Sequence, residues 1–145
     1  MKKLIRLVCL LLCLTLLPLA APAEGEDSPA PDVRVLLRRL GLTDSAHLTL
    51  DGVYSASTGT GAAMAFPKGS QVTVHIRSGE LYLFYEGLSM CAGDRLLLTR
   101  NASASSEREG IRFSKEGNFY PGDLLLTIED NILKPVLTLS VEDYL

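Results

Sequence analysis

The side chains that could carry out chemistry are few in this chain, and their spacing does not bring them together. His47 and His75 lie in separate segments, and no cysteine or carboxylate near either one completes the ligand spacing of a metal site. A cysteine nucleophile needs a base placed beside it. Cys91 has no such neighbour in the sequence and follows Met90, so we interpret it as a small apolar strand residue. The sequence therefore predicts no catalytic residue, no metal site and no cofactor site.

Two other motifs have simpler structural explanations. The segment Thr58-Gly59-Thr60-Gly61 is rich in glycine, but no Lys-Ser/Thr pair follows it as in a phosphate-binding loop, so it indicates a turn. Glu142 and Asp143 are adjacent carboxylates, and neighbours along a chain diverge instead of facing one substrate. Ser140 with Asp143 forms the S-x-x-D pattern of a helix N-terminal cap. We therefore expect a helix to begin at Ser140, with room for barely one turn before Leu145.

The first 23 residues have the pattern of a secretory signal peptide. Lys2, Lys3 and Arg6 form a basic start, an apolar run follows, and Ala21-Pro22-Ala23 supplies the small residues of a cleavage site. The alternative is an uncleaved membrane anchor, but the apolar run of about 14 residues is shorter than the roughly 20 that a spanning helix needs. The prediction is a secreted protein that meets the membrane only during export.

Cleavage after Ala23 leaves an acidic chain. It removes three of the 14 basic residues and none of the 17 acidic ones, so residues 24–145 carry a net charge of −6. This charge and the lack of a basic stripe argue against nucleic acid as a partner. Residues 24–31 are acidic and contain proline, so we expect a flexible linker before one domain over residues 32–145.

A β-hairpin is the clearest element of that domain. Residues 71–77 and 80–85 alternate between apolar and polar side chains, with Ser78-Gly79 as a two-residue turn. This register places His75 opposite Tyr82, and it predicts a core face of Val72, Val74, Ile76, Leu81, Leu83 and Tyr85. The opposite face holds Thr73, His75, Tyr82 and Phe84, and we expect another element to cover it.

Short strands are predicted throughout the rest of the domain. A second hairpin joins residues 123–129 and 132–139 through Asp130-Asn131, and Pro135 predicts an edge or a bulge in its second strand. Residues 33–40 fit either a helix ending at Gly41 or a strand, and we favour the strand. The fold class is therefore mainly β, a small antiparallel sandwich or barrel-like sheet with a helix start at the C-terminus. Other predicted strands are 47–51, 53–57, 96–100 and 111–114, and residues 101–110 are predicted to be a surface loop.

The end of the sequence resembles a known family. Tyr120-Pro121-Gly122, the run Asp123-Leu124-Leu125-Leu126 and the close Val141-Glu142-Asp143-Tyr144-Leu145 are similar to motifs of the stage II sporulation protein D / amidase enhancer family. The segment Val33-Arg34-Val35-Leu36-Leu37 also resembles the opening strand of that family. The sequence departs from the family in two places, because residues 133–139 lack the usual Asn and Val141 replaces a Leu.

The resemblance implies a secreted, cell-wall-associated protein of a spore-forming Gram-positive lineage. Members of the family are peptidoglycan lytic transglycosylases or assist wall amidases, and their catalytic glutamic acid follows the Glu-Asp-Tyr-Leu motif. No residue of this sequence aligns with that acid, and Glu142 matches a structural Glu instead. We therefore expect the N-terminal β part of such a protein, truncated and inactive alone, with peptidoglycan or cell-wall enzymes as partners. The alternatives are a short exported β module that binds peptidoglycan or a wall enzyme through His75, Tyr82 and Phe84, and an unrelated enzyme.

Overall fold

The structure consists of two antiparallel β-sheets of six strands each, and neither sheet closes into a barrel. It is a computed structural model that describes residues 31–101 and 108–145. The predicted signal peptide, nearly all of the predicted linker and most of the loop over residues 101–110 lie outside the described residues. The mainly β fold class is confirmed, and of the two predicted forms the open pair of sheets is the one observed.

The first sheet has the strand order β1-β12-β11-β8-β3-β4. A four-residue helix, α1, follows its strand β12. The bounds of these elements are β1 Asp32–Leu36, β3 Tyr54–Thr58, β4 Ala63–Phe66, β8 Arg95–Arg100, β11 Asp123–Glu129, β12 Ile132–Ser140 and α1 Val141–Tyr144.

The second sheet has the strand order β10-β9-β2-β5-β6-β7. Its bounds are β2 Ser45–Asp51, β5 Ser70–Arg77, β6 Glu80–Tyr85, β7 Leu88–Gly93, β9 Gly110–Phe113 and β10 Phe119–Tyr120.

The core lies between the two sheets, because alternate residues of nearly every strand point to the same side. Strand β2 shows the pattern clearly, with Ala46, Leu48 and Leu50 buried and the residues between them at least partly exposed. Burial of this apolar surface is the main force that holds the sheets together. The bulkiest members of the core, all less than 2% exposed, are Tyr54, Phe66, Phe113, Leu40, Leu48, Leu50, Leu81, Leu83, Leu96, Leu98, Ile111 and Leu124.

The predicted hairpin over residues 71–85 is confirmed, including its register. His75 pairs with Tyr82, and Arg77 pairs with Glu80. Ser78 and Gly79 have φ angles of 53° and 80°, the left-handed conformation that a two-residue hairpin turn requires. The predicted core face is buried or packed against the core cluster.

The hairpin of β11 and β12 is also confirmed, with Asp130 and Asn131 at φ angles of 53° and 60°. Strand β12 is not an edge strand as a whole, because it pairs with β11 on one side and with β1 on the other. The ladder with β1 ends beside Pro135, whose carbonyl accepts a hydrogen bond from the Leu37 amide at 3.0 Å. The predicted edge therefore exists only at Pro135. The ladder with β1 has ended there, so the missing N–H of the proline removes no hydrogen bond from it.

Residues 33–40 contain both of the conformations that their pattern allowed. Strand β1 ends at Leu36, and a 3-10 helix follows over Arg38–Leu40. Gly41 ends this helix at a φ angle of 53° and donates its amide to the Arg38 carbonyl. The helical turn directs Leu40 into the core, where it is 1% exposed.

A buried tyrosine fixes the crossing from the second sheet to the first. The hydroxyl of Tyr54 donates to the carbonyl of Gly122 at 2.9 Å, and the Tyr54 side chain is fully buried. Gly122 lies between β10 of the second sheet and β11 of the first. Burial raises the pKa of the Tyr54 phenol far above its ordinary value, because the charged form would lose its hydration.

We predict that Tyr54→Phe lowers the free energy of unfolding by about 1–2 kcal/mol at neutral pH, since it leaves the Gly122 carbonyl without its donor. In the wild-type protein the unfolded state loses the phenol proton first, at pH about 10. The contribution of Tyr54 is therefore complete below that pH and declines as the pH rises further. Urea unfolding of both proteins between pH about 7 and about 11 measures this. A gap between them that widens above pH about 10 would contradict the prediction.

Candidate binding surface

Three aromatic or imidazole side chains lie together on the outer face of the second sheet. His75 belongs to β5, and Tyr82 and Phe84 belong to β6. They stand on one face because the hairpin register puts His75 directly opposite Tyr82 and one diagonal step from Phe84. We call this group the ring face. All three side chains are half-buried.

The rings of the ring face are nearly parallel. The imidazole centroid of His75 lies 4.5 Å from the Phe84 centroid at an interplanar angle of 22°. It lies 6.2 Å from the Tyr82 centroid at an angle of 20°. Stacking of this kind contributes about 0.5–1.5 kcal/mol beyond simple burial and holds the side chains in one orientation.

The expectation that another element covers the ring face is not met among residues 31–101 and 108–145. The core faces of β5 and β6 pack toward the first sheet, and the ring face points the other way. The sequence identified the three residues correctly but assigned them to a covered surface, because half of the side chains on this face are apolar.

Polar groups border the rings on both sides. On one side, Thr73 pairs with Phe84, and its hydroxyl lies 3.0 Å from Nδ1 of His47 in the neighbouring strand β2. On the other side, Cys91 of β7 pairs with Tyr82. The electrostatic effect of the Cys91 thiol, and then its hydrogen bond, raise the pKa of the Tyr82 phenol. The surface therefore combines flat apolar rings with hydroxyl and imidazole groups.

Cys91 lies in a strand as predicted, but its surroundings were not foreseen. Its Sγ is 3.7 Å from Oε2 of Glu80, and its side chain is half-buried on the outer face of edge strand β7. Glu80 is brought there by the pairing of β6 with β7, a contact between strands that the sequence pattern around Cys91 did not indicate.

A cleft lies beside the ring face where β9 separates from β2. Its volume is about 410 Å³, within the range of small-ligand sites. Ser45 and His47 of β2 form one wall, and Ser114 and Lys115 after β9 form the other. The loop of residues 41–43 closes the end, with the Lys115 Nζ donating to the Gly41 carbonyl at 2.9 Å.

The motifs with structural interpretations behave as predicted. The segment Thr58 to Gly61 forms the end of β3 and the turn to β4, with the Thr58 hydroxyl donating to the Ala62 carbonyl at 2.9 Å. Ser140 caps α1 by accepting from the Asp143 amide at 3.2 Å. The Asp143 carboxylate lies 3.4 Å from Nη2 of Arg100.

Other classes of site receive no support from the described part of the chain. Within residues 31–101 and 108–145, no group of three or more His, Cys, Asp or Glu side chains is arranged to hold a metal ion. No helix in the same ranges is long and apolar enough to cross a membrane. His47 and His75, considered as metal ligands, lie near one another but without a third ligand among these residues.

Comparison with known proteins gave no relative of this chain. It matches no protein-family model, no curated protein and no solved structure. The resemblance to the sporulation protein D / amidase enhancer family therefore stays a hypothesis that depends on the motif residues.

Proposed function

We propose that this protein is a secreted, non-catalytic binding module of the cell wall that holds peptidoglycan glycan on its ring face. The observation that carries the proposal is the near-parallel set of His75, Tyr82 and Phe84 on an outer sheet face. The signal-peptide pattern of residues 1–23 supports export. The resemblance of residues 120–145 to sporulation protein D and amidase enhancers supports a wall component as the ligand.

A glycan suits this surface for chemical reasons. A pyranose ring has an apolar side made of C–H groups and a rim of hydroxyls. The parts of the Phe84 and Tyr82 rings that His75 does not cover match the apolar side of the sugar. The His75 imidazole and the hydroxyls of Tyr82 and Thr73 match its hydroxyl rim. The net charge of −6 for residues 24–145 argues against a nucleic acid, which would also stack on aromatic rings.

The family resemblance indicates the kind of protein that this module would act beside, namely an enzyme of the cell wall. Members of that family cleave glycan or assist amidases, and most of the segments that resemble them here lie in β1, β11 and α1. Glu142 is exposed on α1 and lies in a four-residue helix, which suits the structural position that the resemblance assigns to it. The proposal therefore gives this chain binding and positioning of the glycan strand, without a catalytic residue.

Replacement of Phe84 by alanine is predicted to weaken binding to insoluble peptidoglycan about tenfold, which corresponds to ~1.4 kcal/mol. The reason is loss of the ring that stacks most closely on His75, at 4.5 Å. The measurement is co-sedimentation of the purified protein with peptidoglycan over a range of concentrations. Circular dichroism melting verifies that the variant is folded.

Tyr144→Ala is the matched control, because Tyr144 is 61% exposed and belongs to α1 on the other sheet. It removes an aromatic ring without touching the ring face, so binding should stay at the wild-type level. Equal binding by the wild-type protein and a folded Phe84→Ala variant would refute the ring face as the glycan site. Failure of the wild-type protein to co-sediment would refute glycan binding altogether.

A further inference from the structure

The cleft beside the ring face differs in charge from the chain as a whole. The chain has 17 acidic and 14 basic residues, yet among the residues that the structure describes, the lining of the cleft includes Lys115 and no aspartate or glutamate. The Lys115 ammonium has three N–H donors, of which the Gly41 carbonyl receives one at 2.9 Å. The remaining donors stand in a cleft that also holds the His47 side chain and the Ser45 and Ser114 residues.

Two carboxylates adjoin the lining residues in the sequence, and both accept hydrogen bonds from neighbouring side chains. Oε2 of Glu116 accepts from the Tyr120 hydroxyl at 3.3 Å. The carboxylate of Asp44 accepts from the hydroxyls of Thr43 and Ser45 at 3.2 and 3.4 Å. Asp44 is not part of the lining, although residues on both sides of it are. Its hydrogen bonds fix the Thr43 and Ser45 side chains at the wall of the cleft.

The cleft and the ring face are parts of one continuous surface. His47 lines the cleft and is bonded through its Nδ1 to Thr73, which pairs with Phe84. Adjacent strands are about 4.8 Å apart, so His47 and Phe84, two strands apart, are separated by roughly 10 Å along the sheet. This distance equals the length of one disaccharide unit, so when one sugar lies on Phe84, the sugar two positions along the glycan lies at His47 and the cleft.

We propose that the cleft binds a carboxylate carried by the glycan, with Lys115 as the charged partner and His47 beside it. The inference rests on the proposed binding of glycan by the ring face. It predicts that the protein prefers amino sugars bearing an acidic substituent to neutral amino sugars. A carboxylate and an ammonium form a charge-assisted hydrogen bond, which is stronger than one between neutral groups.

Three oligosaccharides of equal length distinguish the two possible sources of the carboxylate, the lactyl group and the attached peptide. One contains only N-acetylglucosamine, the second alternates it with N-acetylmuramic acid bearing free lactyl carboxylates, and the third has peptides attached to those lactyl groups. Calorimetric titration should give roughly tenfold tighter binding for at least one acidic oligosaccharide than for the neutral one. Added salt should reduce this preference and leave neutral binding almost unchanged.

Lys115→Met should lower the affinity for the acidic oligosaccharides to the neutral level, and Lys115→Arg should retain at least half of the preference. Arg34→Met is the control, because it removes one exposed positive charge from β1 of the first sheet. Thermal melting of Lys115→Met verifies that loss of the bond to Gly41 has not unfolded the protein.

The outcomes distinguish the two proposals. Equal affinity for all three oligosaccharides, unchanged by Lys115→Met, would overturn the carboxylate site while leaving the ring face intact. Preference for the free lactyl form or for the peptide form supports the site and identifies the source of the carboxylate. If the wild-type protein binds none of the three, both proposals fail.

Discussion

Gly122→Ala is expected to lower the free energy of unfolding by about 3–5 kcal/mol. A Cβ atom at this position would overlap the Thr138 carbonyl oxygen and lie 3.0 Å from the Leu139 Cβ. The first of these contacts is with the backbone of β12, so it cannot be relieved by rotation of a side chain. The Gly122 φ angle of 113° adds strain for any L-residue.

The effect should extend beyond the local turn. Gly122 is where the chain passes from β10 to β11, and its carbonyl accepts the hydrogen bond of the buried Tyr54. Any shift that relieves the contact with Thr138 also moves this carbonyl away from the Tyr54 hydroxyl. The measurement is urea unfolding followed by circular dichroism, with the free energy extrapolated to water.

Gly69→Ala is the matched control for Gly122→Ala. Gly69 also has a positive φ angle, 87°, but a Cβ there would meet no atom within 4 Å. Its cost should therefore be the backbone strain alone, about 1–2 kcal/mol. Equal losses for the two variants would show that the close approach of Gly122 to β12 does not exist in solution.

The two hairpins could be predicted from sequence because their determinants are local. Period-two alternation sets which face of each strand is buried, and the two-residue turn sets the register. The sequence alone therefore predicts the pairing of His75 with Tyr82 that the structure shows. Asp130 and Asn131 tolerate the left-handed conformation for a similar local reason.

The cleft could not be predicted, because its walls are joined only by the fold. Lys115 and Gly41, which close it together, are 74 residues apart in the sequence. Neither belongs to a motif, and the two strands of the wall, β2 and β9, pair across a similar distance. The exposure of the ring face could not be predicted for the same reason. The hairpin pattern identifies its side chains, but which face of the second sheet is exposed depends on where the first sheet packs.

Strand β4 was missed for a physical reason that can be tested. Ala63–Phe66 is short and two of its residues are alanine, so its alternation is weak and the neighbouring Gly61 and Pro67 suggest only a loop. Pairing with β3 makes it a strand, and Phe66 at its end is fully buried. Its ring lies 5.0 Å from that of Tyr85 at an angle of 88°, an edge-to-face contact.

Phe66→Ala should therefore lower the free energy of unfolding by about 3–5 kcal/mol, because it leaves a cavity at the edge of the core and removes the contact with Tyr85. The melting temperature should fall by roughly 10 °C or more in a calorimetric scan. Val53→Ala, at a side chain that is 38% exposed, is the control and should change the free energy by about 0.5 kcal/mol or less. A loss below about 1 kcal/mol for Phe66→Ala would mean that β4 does not close the core. The first sheet would then end at β3, with a strand edge open to pairing.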